Sequence, residues 1–408
     1  MPTVSARSRM EVAENPFSRN IIAAFCRMNS FLDAFFRFSF AIPKDKLVSG
    51  NWGIGNLEIG RVREILKKFT DSQLQNPNSL YPLIPVILPA VSKLFIPNPD
   101  LMALIVVGSM AFDAIETPFG KIEKIVGGAA TYVAYAASNF VKPIQQISIV
   151  GYDFPQEEME ELKKRGVQLE AVEIVPDKKS FFWSGRYHED MNSRDTLITD
   201  LNVLGDFKPI VPDSYQGAEF LMLGNLQPAV QMSVIRQMKK RPKMIAVDTM
   251  NFWMESAMKD LEEVLRQVDM LMINDAEARQ LSGQFSLVKA AKTILQMGPK
   301  YLIIKKGEHG ALLFHGDSVF YAPALPLEDV FDPTGAGDTF AGGFIGHLAK
   351  SGDISFDNMK RAIIVGSAMA SFCVEKFGPT RLKEVTKIDI DERIQLFKDL
   401  VNFDIELV

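Results

Sequence analysis

Cysteine is nearly absent from this chain of 408 residues, which carries only Cys26 and Cys373, far apart in sequence. Two distant thiols exclude the dense cross-link framework of small secreted domains and fit a reducing compartment, so a cytoplasmic location is expected. Histidine is scarce as well. His188, His309, His315 and His347 stand at no spacing that a zinc site uses, which argues against transition-metal catalysis. Long basic runs are missing: the densest cluster is Lys239-Lys240-Arg241, which reads as a solvated helix end before Pro242, and the formal net charge is -5. Nothing here would gather nucleic acid. Long uncharged apolar stretches are lacking too. Arg27, Asp33 and Arg37 interrupt the Phe-rich segment 21–42, and four prolines break the run 81–97, whereas a spanning helix needs about 20 nearly uncharged residues. The first 20 residues are polar and contain Glu11 and Glu14, unlike a secretory signal.

What remains is the composition of a globular chain, 47% hydrophobic and 23% charged, able to bury a large core. The pattern changes near residue 100. Residues 1–98 hold two amphipathic stretches, 20–40 and 57–69, and end in the linker-like Pro97-Asn98-Pro99, so they are expected to be an N-terminal extension of the domain 99–408. A translation start at Met102 would also account for their irregular character. Beyond that point short apolar runs recur at 101–107, 147–150, 220–223, 244–247, 270–273 and 302–304. Helical patterns fall between several of them, at 128–140, 157–165, 228–240, 261–267 and 286–297. This alternation predicts an α/β fold with a mainly parallel sheet covered on both faces and a ligand crevice at the carboxyl ends of its strands. Segments 112–125 and 180–204 break the rhythm with mixed aromatic, Thr and charged residues. They read as antiparallel strands standing off the sheet, a small β lid over the crevice.

The stretch Asp332-Pro333-Thr334-Gly335-Ala336-Gly337-Asp338 opens an apolar helical pattern. Glycines at a helix start leave backbone N–H groups unobstructed, and these converge on an anion with the helix dipole behind them. A carboxylate at the edge of such a hole can take a proton from an attacking hydroxyl while the N–H groups hold phosphoryl charge. An ordinary N-cap aspartate is the plain alternative for a bare Gly-x-Gly-Asp.

The full stretch resembles the second signature of the PfkB (ribokinase-like) carbohydrate kinase family, with Pro333 where Thr is common. The resemblance implies a three-layer ribokinase-like sandwich, Asp338 as catalytic base, and Gly335, Ala336 and Gly337 as the anion hole. It also implies a monovalent cation such as K+ at Asp332 and Thr334, and ATP with Mg2+ as cofactors. Asn274 and Glu277 resemble the family's NxxE motif, which holds Mg2+ through water; a capping box is the structural alternative. Lys305, Gly307 and Gly310 resemble its nucleotide loop, to which Thr334 and Gly378 would add. Asp113 matches the acid that binds sugar hydroxyls, Gly127 and Gly128 the hinge where the lid meets the body, and Arg186 is a candidate acceptor contact on the lid. The implied activity is transfer of the γ-phosphate of ATP to a hydroxyl of a small sugar or polyol, with a nucleoside as the alternative acceptor. A catalytically silent regulatory protein on the same scaffold is the non-enzymatic alternative. The aromatic face of the lid makes a homodimer plausible. Other nucleotide folds fall away: there is no GxxxxGK[ST], and Gly53-Ile54-Gly55 is followed by Glu58 where a Rossmann fingerprint needs its third glycine.

Overall fold

Runs such as LIVV and FLML have no polar alternation, so only burial on both faces satisfies them. In the computed structural model, which describes residues 103–402, these runs build the centre of the sheet. The readings made for residues 1–98 lie outside the described residues. The described part begins with β1 (Leu104–Val107), β2 (Ala111–Thr117), β3 (Gly120–Gly127), α1 (Ala129–Ala137), β4 (Ile144–Gly151), α2 (Gln156–Lys164) and β5 (Val167–Val175). It continues through β6 (Phe181–Tyr187), β7 (Arg194–Asp200), β8 (Phe220–Leu223), α3 (Pro228–Gln237), β9 (Met244–Asp248), α4 (Asn251–Ser256) and α5 (Met258–Leu265). Then come β10 (Met270–Asn274), α6 (Asp275–Ser282), α7 (Leu287–Leu295), β11 (Tyr301–Lys305), β12 (Ala311–His315) and β13 (Ser318–Ala322). Four helices close the described chain: α8 (Ala336–Ser351), α9 (Phe356–Cys373), α10 (Thr380–Glu384) and α11 (Lys387–Val401).

Nine strands form the main sheet in the order β13-β12-β11-β10-β9-β8-β1-β4-β5. All pairs from β11 to β5 are parallel, and only the pairs made by β12 are antiparallel. Alternate side chains of each strand feed two cores. Leu104, Val106, Met222 and Met272 pack with α1, α8 and α9 on one face. Ile105, Val107, Leu223 and Ile273 pack with α3, α5 and α7 on the other. Burying one such side chain stabilises by ~1.5–3 kcal/mol, which is why the apolar runs fix three layers.

Glycines bring α8 close to its neighbours. A Cβ at Gly342 would lie 2.5 Å from the Val133 carbonyl oxygen of α1, and one at Gly343 would lie 3.0 Å from Gly366 of α9. Helix α8 is thereby clamped from both sides, and its first turn is fixed at the carboxyl edge of the sheet.

The two irregular segments do join in one four-stranded sheet, in the order β3-β2-β6-β7. Its central pair differs from the antiparallel expectation: β2 and β6 run parallel, from Ala111↔Phe181 to Glu116↔Arg186. The reason lies in the main sheet. Strands β1 and β5 point the same way, so the chain leaves both at one edge and starts each lid hairpin in the same direction. Three strands were not foreseen. The edge strand β5 alternates buried and exposed residues, and β12 and β13 form a hairpin outside the helix-strand rhythm. Among the described residues no helix is long and apolar enough to cross a membrane.

Candidate active site

Gly335 is the N-cap of α8, with a φ of 76° in the left-handed region. A side chain there would overlap the ring of the fully buried Tyr132, so both the backbone and the packing require glycine. The preceding loop is pinned by Asp332, which is wholly buried. Its Oδ1 accepts from the Thr334 N–H at 2.8 Å and its Oδ2 from the Gly378 N–H at 2.8 Å. Thr334 Oγ1 in turn donates to the Tyr187 hydroxyl at 3.2 Å, which ties lid strand β6 to this loop. Of the backbone groups expected to form an anion hole, the Ala336 N–H is engaged by the Pro333 carbonyl at 3.2 Å. The N–H groups of Gly335, Gly337 and Asp338 have no acceptor among the described residues. Those three N–H groups are free to receive an anion.

Beside this turn, three parallel strand ends present polar groups. Lys305, at the end of β11, lies 2.8 Å from Asp248 Oδ2 at the end of β9. A Cβ at Gly337 would stand 3.1 Å from the Lys305 ammonium. Burial disfavours that ammonium's charge, but Asp248 and Glu277 outweigh the effect and hold its pKa above the usual lysine value. Asn274 and Glu277 form a reciprocal capping box at the start of α6, with both bonds at 2.8 Å. Burial first, and the Asp248 charge second, push Glu277 up to about 7. The same two causes act on Asp338, also to about 7, against Lys305 and Arg194. A carboxyl poised there can exchange a proton near neutral pH. Asp248 was not singled out in the sequence, although an acid closing the apolar run MIAVD, like Asn274 and Lys305 closing theirs, is the available signal.

Across the crevice, Asp113 is buried on β2, and a side chain at Gly127 would overlap its carboxylate. Gly128 has a φ of 93°, and a Cβ on it would lie 2.5 Å from the Ser109 carbonyl oxygen. Burial, then repulsion by Asp332 and Asp338, push Asp113 up to about 8. The Tyr132 hydroxyl, buried at the same place, has no partner among the described residues.

Alternation along β6 sorts the lid residues. Tyr187 faces the body through its contact with Thr334, and Trp183 shares its side, opposite Asp113 in register. Arg186 points to the other face and pairs with Glu116 at 2.8 Å. It is not brought to the crevice, which corrects its place among the acceptor contacts. Arg194 instead stands across from Tyr187 on β7. In the loop after β11, Gly307 has a φ of 54° and abuts Asn192 of the lid. Gly310 has a φ of 76° and is closed off by the Ala322 carbonyl, so it serves the β11–β12 turn. Gly378 reaches the site through its N–H to Asp332. Among the described residues, no three His, Cys, Asp or Glu side chains cluster closely enough to hold a metal directly.

A family model described as pfkB family carbohydrate kinase matches residues 103–385. The cytidine kinase of Thermococcus kodakarensis is 30% identical over 256 residues, covering 61% of this chain and 90% of that protein. The nucleoside kinase of Methanocaldococcus jannaschii, described as an archaeal member of the ribokinase family, superposes with a TM-score of 0.59 at 20% identity, over 72% of this chain and 98% of its own. The Arabidopsis thaliana ribokinase solved with ribose and ATP gives a TM-score of 0.57 at 21% identity, over 72% and 98%. Both likenesses are of fold.

Proposed function

Because the chain belongs to the pfkB family of carbohydrate kinases, we propose that it transfers the γ-phosphate of ATP to a hydroxyl of a sugar, polyol or nucleoside, with Asp338 as the base. The observation that carries this reading is one turn of helix: a carboxyl raised toward neutrality beside unbonded N–H groups and a half-buried lysine. Asp113 binds the acceptor hydroxyls, accepting from two at once. Asp338 takes the proton of the attacking hydroxyl, and the N–H groups of Gly335, Gly337 and Asp338 receive the charge of the moving phosphoryl group. Lys305 and the loop of Gly307 hold the nucleotide, and Gly127 and Gly128 let the lid tilt onto it.

Mg2+ would neutralise phosphate charge, held through water by Glu277 and Asn274. Asp332 and Thr334 are the candidate site for K+. Asp332 is a buried carboxylate whose partners are two neutral N–H groups, so a cation there would compensate its charge. Trp183, beside Asp113 on the crevice side of the lid, offers a ring on which a base can stack, and this favours a nucleoside among the acceptors, in keeping with the cytidine kinase likeness. The scarcity of cysteine and of basic runs supports a cytoplasmic location without nucleic-acid partners. Edge strand β7, exposed along its length with Leu197 and Ile198 outward, is the surface for a homodimer through the lid.

A screen of pentoses, hexoses, inositols and nucleosides with Mg·ATP identifies the acceptor. On that acceptor, Asp338→Asn should lower kcat at least about a hundredfold with ATP affinity little changed. The wild-type rate should rise with pH through about 7, because the base works only when ionised. An active Asp338→Asn enzyme would remove the mechanism, and a silent scaffold would keep its function in that variant.

A further inference from the structure

Lys305, the cation beside the start of α8, is already matched by Asp248 at 2.8 Å. Glu277 and Asp338 add negative charge beside it. A cation from the lid would add positive charge for a polyphosphate bound there.

We propose, on the basis of the kinase reading above, that Arg194 of the lid binds the γ-phosphate of the nucleotide and so belongs to the phosphoryl-transfer machinery. Two contacts bracket it. Arg194 lies across β6–β7 from Tyr187, whose hydroxyl is tied to Thr334 at 3.2 Å in the loop before α8. Two residues earlier, Asn192 sits against Gly307 so closely that any side chain at 307 would overlap it. The lid strand is thus anchored at the anion-hole loop, and the turn is anchored at the loop after β11. Arg194 falls between the two anchors.

The turn that carries it is well braced. The Asp190 carboxylate accepts from the N–H groups of Asn192 at 3.1 Å and Ser193 at 2.8 Å, and the His188 N–H donates to the Ser193 carbonyl at 2.9 Å. The guanidinium carbon lies 5.8 Å from the centre of the Trp183 ring, which restricts the plane of the fork. Arg165, Arg186, Arg279, Arg381 and Arg393 all have carboxylate partners. Arg194 forms no ion pair among the described residues. Its charge nonetheless reaches Asp338 and Glu277, and it favours the ionised form of both. A planar fork held over carboxyls that it does not pair with suits a tetrahedral oxyanion arriving between them, which it can grip with two N–H groups at once.

Calorimetry on the full chain with Mg2+ tests this, using a non-hydrolysable ATP analogue and ADP as ligands. Arg194→Gln should weaken the triphosphate at least about tenfold and ADP by clearly less, while lowering kcat about a hundredfold. Arg194→Lys should recover part of the loss, since it restores charge without the fork. Arg186→Gln, on the outer face of the same sheet, should change neither beyond about twofold, and the melting midpoint of Arg194→Gln should match the wild type. Equal losses for both nucleotides, or binding of the triphosphate within about twofold of wild type, would overturn the assignment. A wild-type chain that binds neither nucleotide would remove the kinase reading together with it.

Discussion

Three carboxyls meet where the acceptor would lie, and two of them, Asp332 and Asp338, raise the pKa of the third, Asp113. For Asp113 the sign of the consequence is fixed: burial, Asp332 and Asp338 lift it to about 8, above the ordinary aspartate value near 4. The folded protein therefore holds this proton more tightly than the unfolded chain does. The stability it contributes is full below about pH 4 and is lost as pH rises through about 8. Asp113→Asn keeps an acceptor for the Gly128 N–H but cannot ionise, so it should raise the melting midpoint, and by more at about pH 8 than at about pH 5. A gain that did not grow with pH would contradict the burial argument. The same variant should lose acceptor binding. At this scale the turn at the start of α8 was legible because its needs are local: Gly335 takes a positive φ that favours glycine. Asp248 was not legible, since it joins the site only when sheet order places β9 beside β10. Arg186 and Arg194 share one polar stretch, and which of them faces the crevice is decided by the Tyr187 contact with Thr334, 147 residues away.

Among the elements, the short strands were readable because burial on both faces leaves no alternation to confuse with a helix. The edge strands β5 and β13 escaped because solvent on one side dilutes their apolar signal, whereas β12 was missed although its run Ala311–Phe314 is apolar and largely buried. The junction of β3 and α1 carries the element-level prediction. Gly128 combines a φ of 93° with a neighbour at 2.5 Å from any added Cβ, so a β-branched residue would displace the start of α1 and the root of the lid together. Gly128→Val should raise KM for the acceptor and lower kcat, while nucleotide binding without acceptor stays largely intact. Unchanged acceptor kinetics would show that this junction is no hinge.

The molecule as a whole is a three-layer kinase domain, and its outline was legible from the alternation of apolar runs and helical patterns after residue 100. The lid's parallel centre was not, because strand direction there is inherited from β1 and β5 and not from any residue in the lid. Residues 103–385 match the family model. We expect residues 102–408, expressed alone, to fold and to phosphorylate the acceptor within about twofold of the full chain. Insoluble or inactive protein, beside an active full chain, would assign the preceding residues to the fold.

The parallel pairing of β2 with β6 has a further consequence, in the order of assembly. Each lid hairpin is local, but Glu116 and Arg186, which face each other across the seam, are 70 residues apart in the chain. Closing a loop of that length costs entropy that no contact inside either hairpin offsets. The seam can therefore form cheaply only after β1, β4 and β5 have paired and brought its two halves to the same edge. Among the described residues we therefore expect the lid sheet to form after the main sheet and to open before it, so that the amides of β2, β3, β6 and β7 exchange faster than those of β1, β4 and β8.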